Sequence, residues 1–500
     1  MNGRVRVGLA LVLWLMGVAC LAAEIHPKEH ASPGIATSPP MEVEQIATHH
    51  VVRVDGTTLN YQALAGYMPI KNEVGNPQAK LFFVAYTAEG LPDLPERPIT
   101  FAFNGAPGTS SAGLHLGALG PKRVVTVSNG TAFQVTYRLV DNEQTWLDFT
   151  DLVFADPIGV GYSRVEDGVD AKQFYGTEKD TEVSAQFVRE YVAQTARWRS
   201  PKFVVGECYG AVRAAGLANT LQSSIGSNLK GLVLLSSTFS FRALANHTDN
   251  NIAFALLLPS FAAATAFHKN AFADLTAVEQ WALNDYLAAL TQGDDLPPAR
   301  RQRIAEQMAM VTGLSANVID ASHLRVGASR FVGELLSREH RTLDLLDARL
   351  PGGDDKGHDE PAYLVSGLWL SPCPATNALV DYLHRDLNFV SSVPYELLSQ
   401  EISEAWKGMD RGRADMCGTD DLAAAMARDE RFRVFAAAGI YDLTTPYLGQ
   451  HFALRRLDRE QGRCSNLVFK VYPAGQQIYT DSAMVKKLRL DVARFIDQSK

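Results

Sequence analysis

Short apolar runs of strand length, separated by turn residues, recur along much of the chain. They are Leu81–Tyr86, Ile99–Phe103, Arg123–Val127, Leu152–Ala155, Phe203–Val205, Leu232–Leu235, Val434–Ala438 and Leu467–Val471. Apolar stripes at helical spacing lie among the later runs, one at Val183, Phe187, Val188, Tyr191 and Val192, another at Met484, Leu488, Val492, Phe495 and Ile496. Strands that alternate with helices predict an α/β fold, with a largely parallel sheet covered by helices on both faces.

The segment 246–420 has a different pattern. Its apolar residues recur mostly at helical spacing, clearest in Ala277–Leu290, Pro298–Val311 and Ser329–Leu346. We expect a largely helical cap, inserted between residues 51–245 and 421–500, which together form the sheet core. Because ligands of such folds bind in loops after the carboxyl ends of parallel strands, the cap is expected to cover that edge.

The N-terminal residues are typical of an export signal, since basic residues precede an apolar run over 7–18 and small residues follow it. We predict a signal peptide over residues 1–23, a flexible linker over 24–50, and a periplasmic or secreted protein. A lipid anchor on Cys20 is the less favoured alternative, because Gly17 stands where lipoprotein signals carry a bulky aliphatic residue. No other segment is predicted to span a membrane.

The composition is that of a globular protein with a substantial core, since 46% of the residues are hydrophobic and 20% are charged. The formal net charge of −8 argues against nucleic acid as a partner. Beyond Cys20 and Cys208, the cysteines are Cys373, Cys417 and Cys464. A disulfide among these three and three buried thiols both remain open, because spacing does not fix a pairing.

The segment Gly206–Gly210 carries the main candidate chemistry. Its sequence, GECYG, has the outline of the nucleophile elbow G-x-S-x-G, with Cys208 in the place of serine. An apolar strand precedes it and a helix-compatible run, Ala211–Leu221, follows, as the elbow requires. The helix N-terminus is expected to increase the thiolate fraction of Cys208, and an ionised Glu207 to decrease it.

Two further segments complete the predicted site. The small residues of Asn104–Ser111 follow a strand, and small residues let backbone N–H groups approach a ligand closely. In α/β-hydrolases this loop supplies one oxyanion-hole N–H, here at Ala106, and the residue after the nucleophile, Tyr209, supplies the other. Hydrolase triads of this class follow the order nucleophile, acid, histidine. Asp442 stands in the place of the acid and Gln476 in that of the histidine.

These motifs resemble the serine carboxypeptidase family, α/β-hydrolases that remove C-terminal residues from peptides. NGAPGTSS is similar to the family's NGGPGxSS, DPIGVGYS to its D-x-P-V-G-T-G-Y-S region, GECYG to its GESYG, and YDLTTP with AGQQ to its acid and A-G-H segments. The resemblance extends from about residue 80 to the C-terminus, is weakest across 246–420, and is closest in form to bacterial exported members. It implies the α/β-hydrolase fold, and we predict neither a cofactor nor a metal site.

The resemblance also implies a ligand. In the family, the positions of Asn104, Gly105 and Glu207 help to hold the C-terminal carboxylate of the substrate. A peptide, or a small ester or carboxylate, is therefore the expected partner. No other histidine is predicted to act as a base, since His115 and His451 are better explained as structural residues.

Three positions depart from the family pattern, because Cys208 replaces serine, Gln476 replaces histidine and Ala106 replaces glycine. A carboxamide has no titratable proton near neutral pH, so Gln476 would not act as a proton shuttle. We expect its N–H, or that of Gln477, to donate to Asp442 instead. The favoured hypothesis is a catalytically impaired relative that retains a binding pocket. The alternatives are a hydrolase or acyltransferase with a thiol nucleophile, and a structural or partner-binding protein.

Overall fold

The computed structural model describes residues 45–91, 96–128, 135–224, 229–239, 250–350, 374–410, 418–461 and 466–499. These residues belong to one compact unit. The predicted signal peptide, residues 24–44 of the predicted linker, and Cys20, Cys373, Cys417 and Cys464 lie outside the described residues. The choice between a disulfide and buried thiols therefore stays open.

The strands of the described residues form a large central sheet and a separate hairpin. They are β1 (Gln45–Val54), β2 (Thr57–Lys71), β3 (Pro77–Ala88), β4 (Ile99–Phe103), β5 (Lys122–Ser128), β6 (Val135–Asp141), β7 (Asp151–Ala155), β8 (Arg164–Val165), β9 (Lys202–Glu207), β10 (Leu229–Leu235), β11 (Arg433–Gly439) and β12 (Leu467–Tyr472). The central sheet has the order β1-β2-β3-β7-β4-β9-β10-β11-β12, with β8 paired to β3, and β5 pairs with β6 in the hairpin.

Most of the central sheet is parallel. The strands from β7 through β4, β9, β10 and β11 to β12 are mutually parallel, whereas β1, β2 and β3 continue the sheet in antiparallel pairings. Each apolar run that predicted a strand lies within an observed strand. Parallel pairing places the carboxyl ends of these strands at one edge of the sheet, where α/β folds bind ligands.

Helices connect the strands and cover the sheet. They are α1 (Ala112–Leu114), α2 (Thr177–Gln194), α3 (Gly210–Ser224), α4 (Asn251–Lys269), α5 (Leu275–Trp281), α6 (Leu287–Gln292), α7 (Pro298–Thr312), α8 (Ala316–Ala321), α9 (Ala328–Glu334), α10 (Pro374–Arg385), α11 (Gln400–Asp410), α12 (Gly418–Arg428), α13 (Tyr447–Gln461) and α14 (Ser482–Asp497). A π-helical turn, His115–Leu119, continues α1, and another, Ala282–Tyr286, joins α5 to α6. Short 3₁₀ turns are Ala171–Phe174, Gly293–Asp295, Ser337–Glu339 and Ile478–Thr480.

Alternate residues of the parallel strands enter two different cores. Phe203 and Val205 of β9 pack in one core with Val492 of α14. Val204, between them, packs in the other core with Leu217 of α3. Because side chains alternate across a strand, a strand covered on both faces must be apolar throughout, which explains the uninterrupted runs in the sequence. The predicted α/β architecture is confirmed.

Helices α4 to α9 build a third core within the segment predicted as a cap. Phe261 and Phe331 stack there with 4.0 Å between ring centroids, and Leu443 from the loop after β11 joins them. By length and composition α4 could cross a membrane, which the sequence analysis did not anticipate, but 72% of its most apolar window is buried inside the protein. The limits of the cap, residues 246–420, stay a prediction.

The linker prediction is wrong for residues 45–50. These residues form the first part of β1, which pairs antiparallel with β2 from Gln45↔Gly66 to Val54↔Thr57. His49 lies 2.9 Å from Glu89, and His50 stacks on Tyr61. The partner strand, not a local apolar period, orders this segment, so the sequence pattern alone did not reveal it.

The predicted helix Ser329–Leu346 is wrong in its second half. The helix α9 ends at Glu334, and only a short 3₁₀ turn, Ser337–Glu339, follows it. Leu343 and Leu345 have the apolar character of the helical pattern, but they enter the cap core from a non-helical segment. Tertiary packing therefore accounts for these apolar positions without a helix.

Candidate active site

Loops that follow the parallel strands meet at one edge of the sheet. They are residues 104–111 after β4, 156–163 after β7, 208–209 after β9, 236–239 after β10, 440–446 after β11 and 473–477 after β12. Each site residue predicted from the sequence lies in one of these loops or, for Glu207, at the last position of β9. The topology of the sheet thus collects on one edge residues that are distant in the sequence.

Cys208 lies at a sharp turn between β9 and α3, with a φ of +52°. This left-handed conformation is strained for a residue with a side chain. A Cβ on Gly206 would come within 2.1 Å of the Gly210 carbonyl oxygen, and one on Gly210 within 2.5 Å of the Phe103 carbonyl oxygen. Both flanking positions therefore require glycine. A strand, a strained turn and a helix are the elements of a nucleophile elbow.

The Cys208 thiol is predominantly protonated near neutral pH. Its Sγ atom lies 3.5 Å from the Thr238 Oγ1 atom. Although the residue as a whole is partly exposed, the thiol pKa is raised to about 11, first by burial and then by the charges of Glu207 and Asp442. The hydrogen bond with Thr238 acts in the opposite direction. The backbone N–H of Tyr209, immediately before α3, also lowers the thiol pKa, as expected of a helix N-terminus, but burial outweighs it.

Glu207 is a buried carboxyl group with an incomplete set of hydrogen bonds. The side chain is 3% exposed, and its Oε2 atom accepts a hydrogen bond from the Tyr479 hydroxyl at 3.2 Å. Its Oε1 atom has no partner among the described residues. Burial raises the pKa of Glu207 to about 8, and the charge of Asp442 adds to the rise. Glu207 is therefore mostly neutral at pH 7, when it has a proton to donate.

Asn104 and Gly105 lie beside the elbow. A Cβ on Gly105 would come within 3.2 Å of the Cys208 Cβ atom, so this part of the loop packs directly against the thiol residue. The Asn104 Oδ1 atom accepts a hydrogen bond from the Leu114 N–H at 3.0 Å. Its Nδ2 group donates to no acceptor among the residues described. The carboxylate-binding role of Asn104 and Gly105 stays a prediction, for which Nδ2 is the available donor.

Ala106 lies in a turn that its own carbonyl oxygen helps to close. That oxygen accepts hydrogen bonds from the Thr109 N–H at 3.0 Å and the Thr109 hydroxyl at 2.6 Å. Further along the loop, the Asp156 Oδ1 atom accepts from both the N–H and the hydroxyl of Ser111 at 2.7 Å. Asp156 opens the glycine-rich segment to which the sequence analysis assigned no role. Its carboxylate anchors the predicted oxyanion loop.

Tyr209, the residue after the thiol, is fixed by a buried ion pair. Its hydroxyl donates to the Asp180 Oδ2 atom at 3.2 Å, and Arg213 Nε donates to the same oxygen at 2.6 Å. The Trp406 ring packs against the Tyr209 ring in an edge contact, with centroids 5.7 Å apart. These contacts hold the backbone of Tyr209, whose N–H also bonds to the Cys208 thiol. Its role in an oxyanion hole stays a prediction.

Asp442 is completely buried and is surrounded by donors from its own turn. Its Oδ1 atom accepts from the Thr444 N–H at 2.8 Å, the Thr444 hydroxyl at 2.7 Å and the Thr445 N–H at 2.9 Å. Its Oδ2 atom accepts from the Thr445 hydroxyl. Burial raises the pKa of Asp442, and these hydrogen bonds lower it in part.

Gln476 is buried beside this turn. Its Nε2 group donates to the Thr444 hydroxyl oxygen at 3.2 Å. The predicted direct bond to Asp442 is therefore wrong, because the Thr444 hydroxyl lies on that path. Among the described residues Gln477 does not bond to Asp442 either, and no hydrogen bond joins Gln476 to Cys208.

A segment of the predicted cap, Leu343–Leu350, connects the two C-terminal loops. The Leu345 carbonyl oxygen accepts from the Leu443 N–H at 3.0 Å, and the Leu346 carbonyl oxygen accepts from the Gln476 N–H at 2.7 Å. This segment therefore fixes the loops that carry Asp442 and Gln476 relative to each other. The sequence pattern did not reveal this role, because the apolar spacing of residues 329–346 predicts a helix there.

Neither His115 nor His451 contacts the thiol. His115 is buried, its Nε2 atom lies 2.6 Å from the Tyr86 hydroxyl, and burial lowers its pKa to about 3. His451 stacks on Phe469 with 5.0 Å between ring centroids, and partial burial lowers its pKa. Both residues make the structural contacts expected of them.

Known proteins share this architecture. Residues 54–261 match the family model described as serine carboxypeptidase. The solved structure of Kex1(delta)p, a prohormone-processing carboxypeptidase from Saccharomyces cerevisiae, is similar with a TM-score of 0.51 and 17% identity, over 87% of this chain and 91% of that chain. A thermostable carboxyl esterase from Bacillus coagulans aligns with a TM-score of 0.38 and 14% identity, over 87% of this chain and 98% of that chain. No curated protein sequence matches the chain.

The family match includes the elbow, the predicted oxyanion loop and the segment that begins at Asp156, and it ends before Asp442 and Gln476. The resemblance inferred from the motifs is confirmed for these residues. Residues 54–261 are similar in sequence to the serine carboxypeptidase family, and the chain has the α/β-hydrolase fold.

Proposed function

We propose that this protein is a catalytically impaired serine carboxypeptidase-like protein whose pocket binds the C-terminal end of peptides or small carboxylates. The observation that carries the proposal is that each of the two replaced residues bonds to a threonine and not to the other. The Cys208 thiol bonds to Thr238, and Gln476 bonds to Thr444. A carboxamide accepts no proton near neutral pH, and loss of a triad nucleophile or histidine lowers kcat by roughly a million-fold.

The raised pKa of the thiol supports the same conclusion. A free cysteine has a pKa of about 8.5, so a few per cent of it is thiolate near pH 7. With a pKa of about 11, Cys208 is thiolate to a far smaller extent. A thiol nucleophile therefore lacks both the ionisation and the general acid that cleavage of an amide bond requires.

Polar groups beside the thiol support the binding part of the proposal. The Asn104 Nδ2 group is an available donor, and the Glu207 Oε1 atom has no partner among the residues that the structure describes. A protonated carboxyl donates an O–H, and a ligand carboxylate accepts both kinds of hydrogen bond. A carboxylate placed here would satisfy a buried polar atom that is otherwise left without a hydrogen bond.

The first experiment compares N-blocked dipeptides that end in a free carboxylate with the same dipeptides as C-terminal amides. We expect calorimetry to detect binding of the free acids, at least about ten-fold weaker binding of the amides, and no release of the C-terminal residue. We expect this difference in affinity because hydrogen bonds to a charged carboxylate are stronger than hydrogen bonds to a neutral amide. The variant Asn104→Asp keeps the acceptor for the Leu114 N–H but removes the Nδ2 donor, so it should weaken binding of the acids. Asn270→Asp, an exposed substitution outside the site, is the matched control.

Two outcomes would overturn the proposal. Release of the C-terminal residue by the unmodified protein, abolished by Cys208→Ala, would establish a working thiol hydrolase. Equal affinity for acids and amides, or no binding of either, would contradict the proposed carboxylate pocket and favour the structural or partner-binding alternative.

A further inference from the structure

The Asp442 carboxylate accepts three hydrogen bonds at Oδ1 and one at Oδ2, all from its own turn. A carboxylate offers about four lone-pair sites on its two oxygens. The N–H and hydroxyl groups of Thr444 and Thr445 together supply four donors to these oxygens. Since Asp442 is completely buried, the turn itself satisfies the carboxylate without help from water or from residue 476.

The Thr444 hydroxyl stands between Gln476 and Asp442. It donates to the Asp442 Oδ1 atom at 2.7 Å and accepts from the Gln476 Nε2 group at 3.2 Å. A hydroxyl has one proton to donate and lone pairs to accept, so both bonds form at once. The result is a directed chain from residue 476 through Thr444 to Asp442.

In a working triad the acid accepts a hydrogen bond directly from the imidazole Nδ1–H, which fixes the tautomer and stabilises the imidazolium. We propose that Thr444 is a positioning residue that takes this bond, and that it uncouples Asp442 from position 476 independently of the Cys208 and Gln476 replacements. The inference rests on the proposed function, in which the triad is disabled. It implies that restoring serine and histidine alone does not rebuild a triad.

The test measures the pKa of an imidazole introduced at position 476, so it requires no substrate. The variants are Gln476→His alone and in combination with Thr444→Ala, Thr444→Ser or Thr445→Ala, with the introduced ring titrated by NMR. We expect Thr444→Ala to raise the pKa of the introduced imidazole by about one unit or more over Gln476→His alone, because an adjacent carboxylate favours the charged ring. A downfield Nδ1 proton should appear in the same variant.

The controls separate the Thr444 hydroxyl from general loosening of the turn. Thr444→Ser keeps the hydroxyl, so it should leave the imidazole pKa as in Gln476→His alone. Thr445→Ala removes a hydroxyl that donates to the same carboxylate. This hydroxyl bonds to Oδ2, whereas the Thr444 hydroxyl bonds to Oδ1. It should leave the imidazole pKa unchanged as well. Native near-ultraviolet circular dichroism would identify any variant that does not fold.

A second measurement uses the Cys208→Ser background and an activated ester. We expect Cys208→Ser with Gln476→His to stay near background, and addition of Thr444→Ala to raise the rate by roughly a hundred-fold or more, since loss of the acid's role costs about 10⁴-fold in a working triad.

An imidazole that already shows the raised pKa in Gln476→His alone would overturn the inference, as would equal effects of Thr444→Ala, Thr444→Ser and Thr445→Ala. Both outcomes are visible in the titration whether or not the pocket binds a carboxylate. They are therefore distinct from a failure of the proposed function, which would be activity of the unmodified protein or absence of binding.

Discussion

Glu207 and Asp442 are two buried carboxyl groups that act on the same thiol, and the fold surrounds them differently. Glu207 receives one side-chain hydrogen bond, from Tyr479, and its Oε1 atom has no partner among the described residues. Asp442 receives four hydrogen bonds from its own turn. Burial raises the pKa of both groups, and hydrogen bonds lower it in part, from Tyr479 for Glu207 and from Thr444 and Thr445 for Asp442.

The difference indicates two kinds of role. A buried acceptor without a hydrogen bond is costly, so it either holds a proton or receives a donor from a ligand. Glu207 meets that description and lies at the elbow, beside the proposed ligand site. A carboxylate that accepts hydrogen bonds on both oxygens from its own turn instead stabilises the loop that contains it. Asp442 has this second environment although it occupies the position predicted for a catalytic acid.

The largest expected effect is on stability. Asp442→Ala would leave the buried N–H groups of the turn without acceptors, and each such group costs about 1–3 kcal/mol. We expect a loss of roughly 3 kcal/mol or more in the free energy of unfolding, measured by urea denaturation. Glu207→Ala should lower the free energy of unfolding by less, because it removes one hydrogen bond, from Tyr479, together with a carboxyl oxygen that has no partner among the described residues. A smaller loss for Asp442→Ala than for Glu207→Ala would reverse the comparison.

The second effect is on the pH dependence of stability. The folded pKa of Glu207, about 8, lies above its unfolded value of 4.5, so the folded protein binds more protons between these two values. The stabilising contribution is complete below pH 4.5 and is lost as the pH rises through about 8. The free energy of unfolding should fall by at most about 1.4 kcal/mol per pH unit in this window.

Glu207→Gln tests this assignment, since it should reduce that slope by the Glu207 contribution while it keeps a side chain of the same shape. Urea unfolding at pH 5, 6.5 and 8 measures the slope in both proteins. An unchanged slope in the variant would mean that another group titrates in the window.

The smallest expected effect is on the reactivity of the thiol. At pH 8 we expect Cys208 to react with iodoacetamide at least about ten-fold more slowly than an unfolded cysteine peptide, because its pKa of about 11 leaves less thiolate. Glu207→Gln should accelerate the reaction at pH 9, since it removes a negative charge that raises the thiol pKa. Thr238→Val removes a hydrogen bond that lowers the pKa and should slow the reaction. Mass spectrometry of the labelled peptide measures each rate, and a fast reaction at pH 7 would contradict the raised pKa.

The sequence predicted secondary structure correctly where a local apolar pattern reflects burial. The apolar run before Cys208 became β9, and the helical stripe that includes Val492 became α14. Gly206 and Gly210 indicated the elbow because only glycine fits the crowded backbone there. The pattern failed at residues 343–346, where apolar side chains pack into the cap core without a helix, and at β1, where a partner strand orders the chain.

The sequence by itself determined the order of the strands along the chain, the glycine-flanked turn, and the presence of Cys208 and Gln476 at the positions predicted for the nucleophile and the histidine. These are properties of single residues and of short periodic patterns. Tertiary structure alone decided that Thr444 lies between Gln476 and Asp442, that Glu207 keeps an unpartnered oxygen, and that burial raises the thiol pKa. Hydrogen bonds and desolvation depend on which distant loops meet at the edge of the sheet, and no local pattern encodes that meeting.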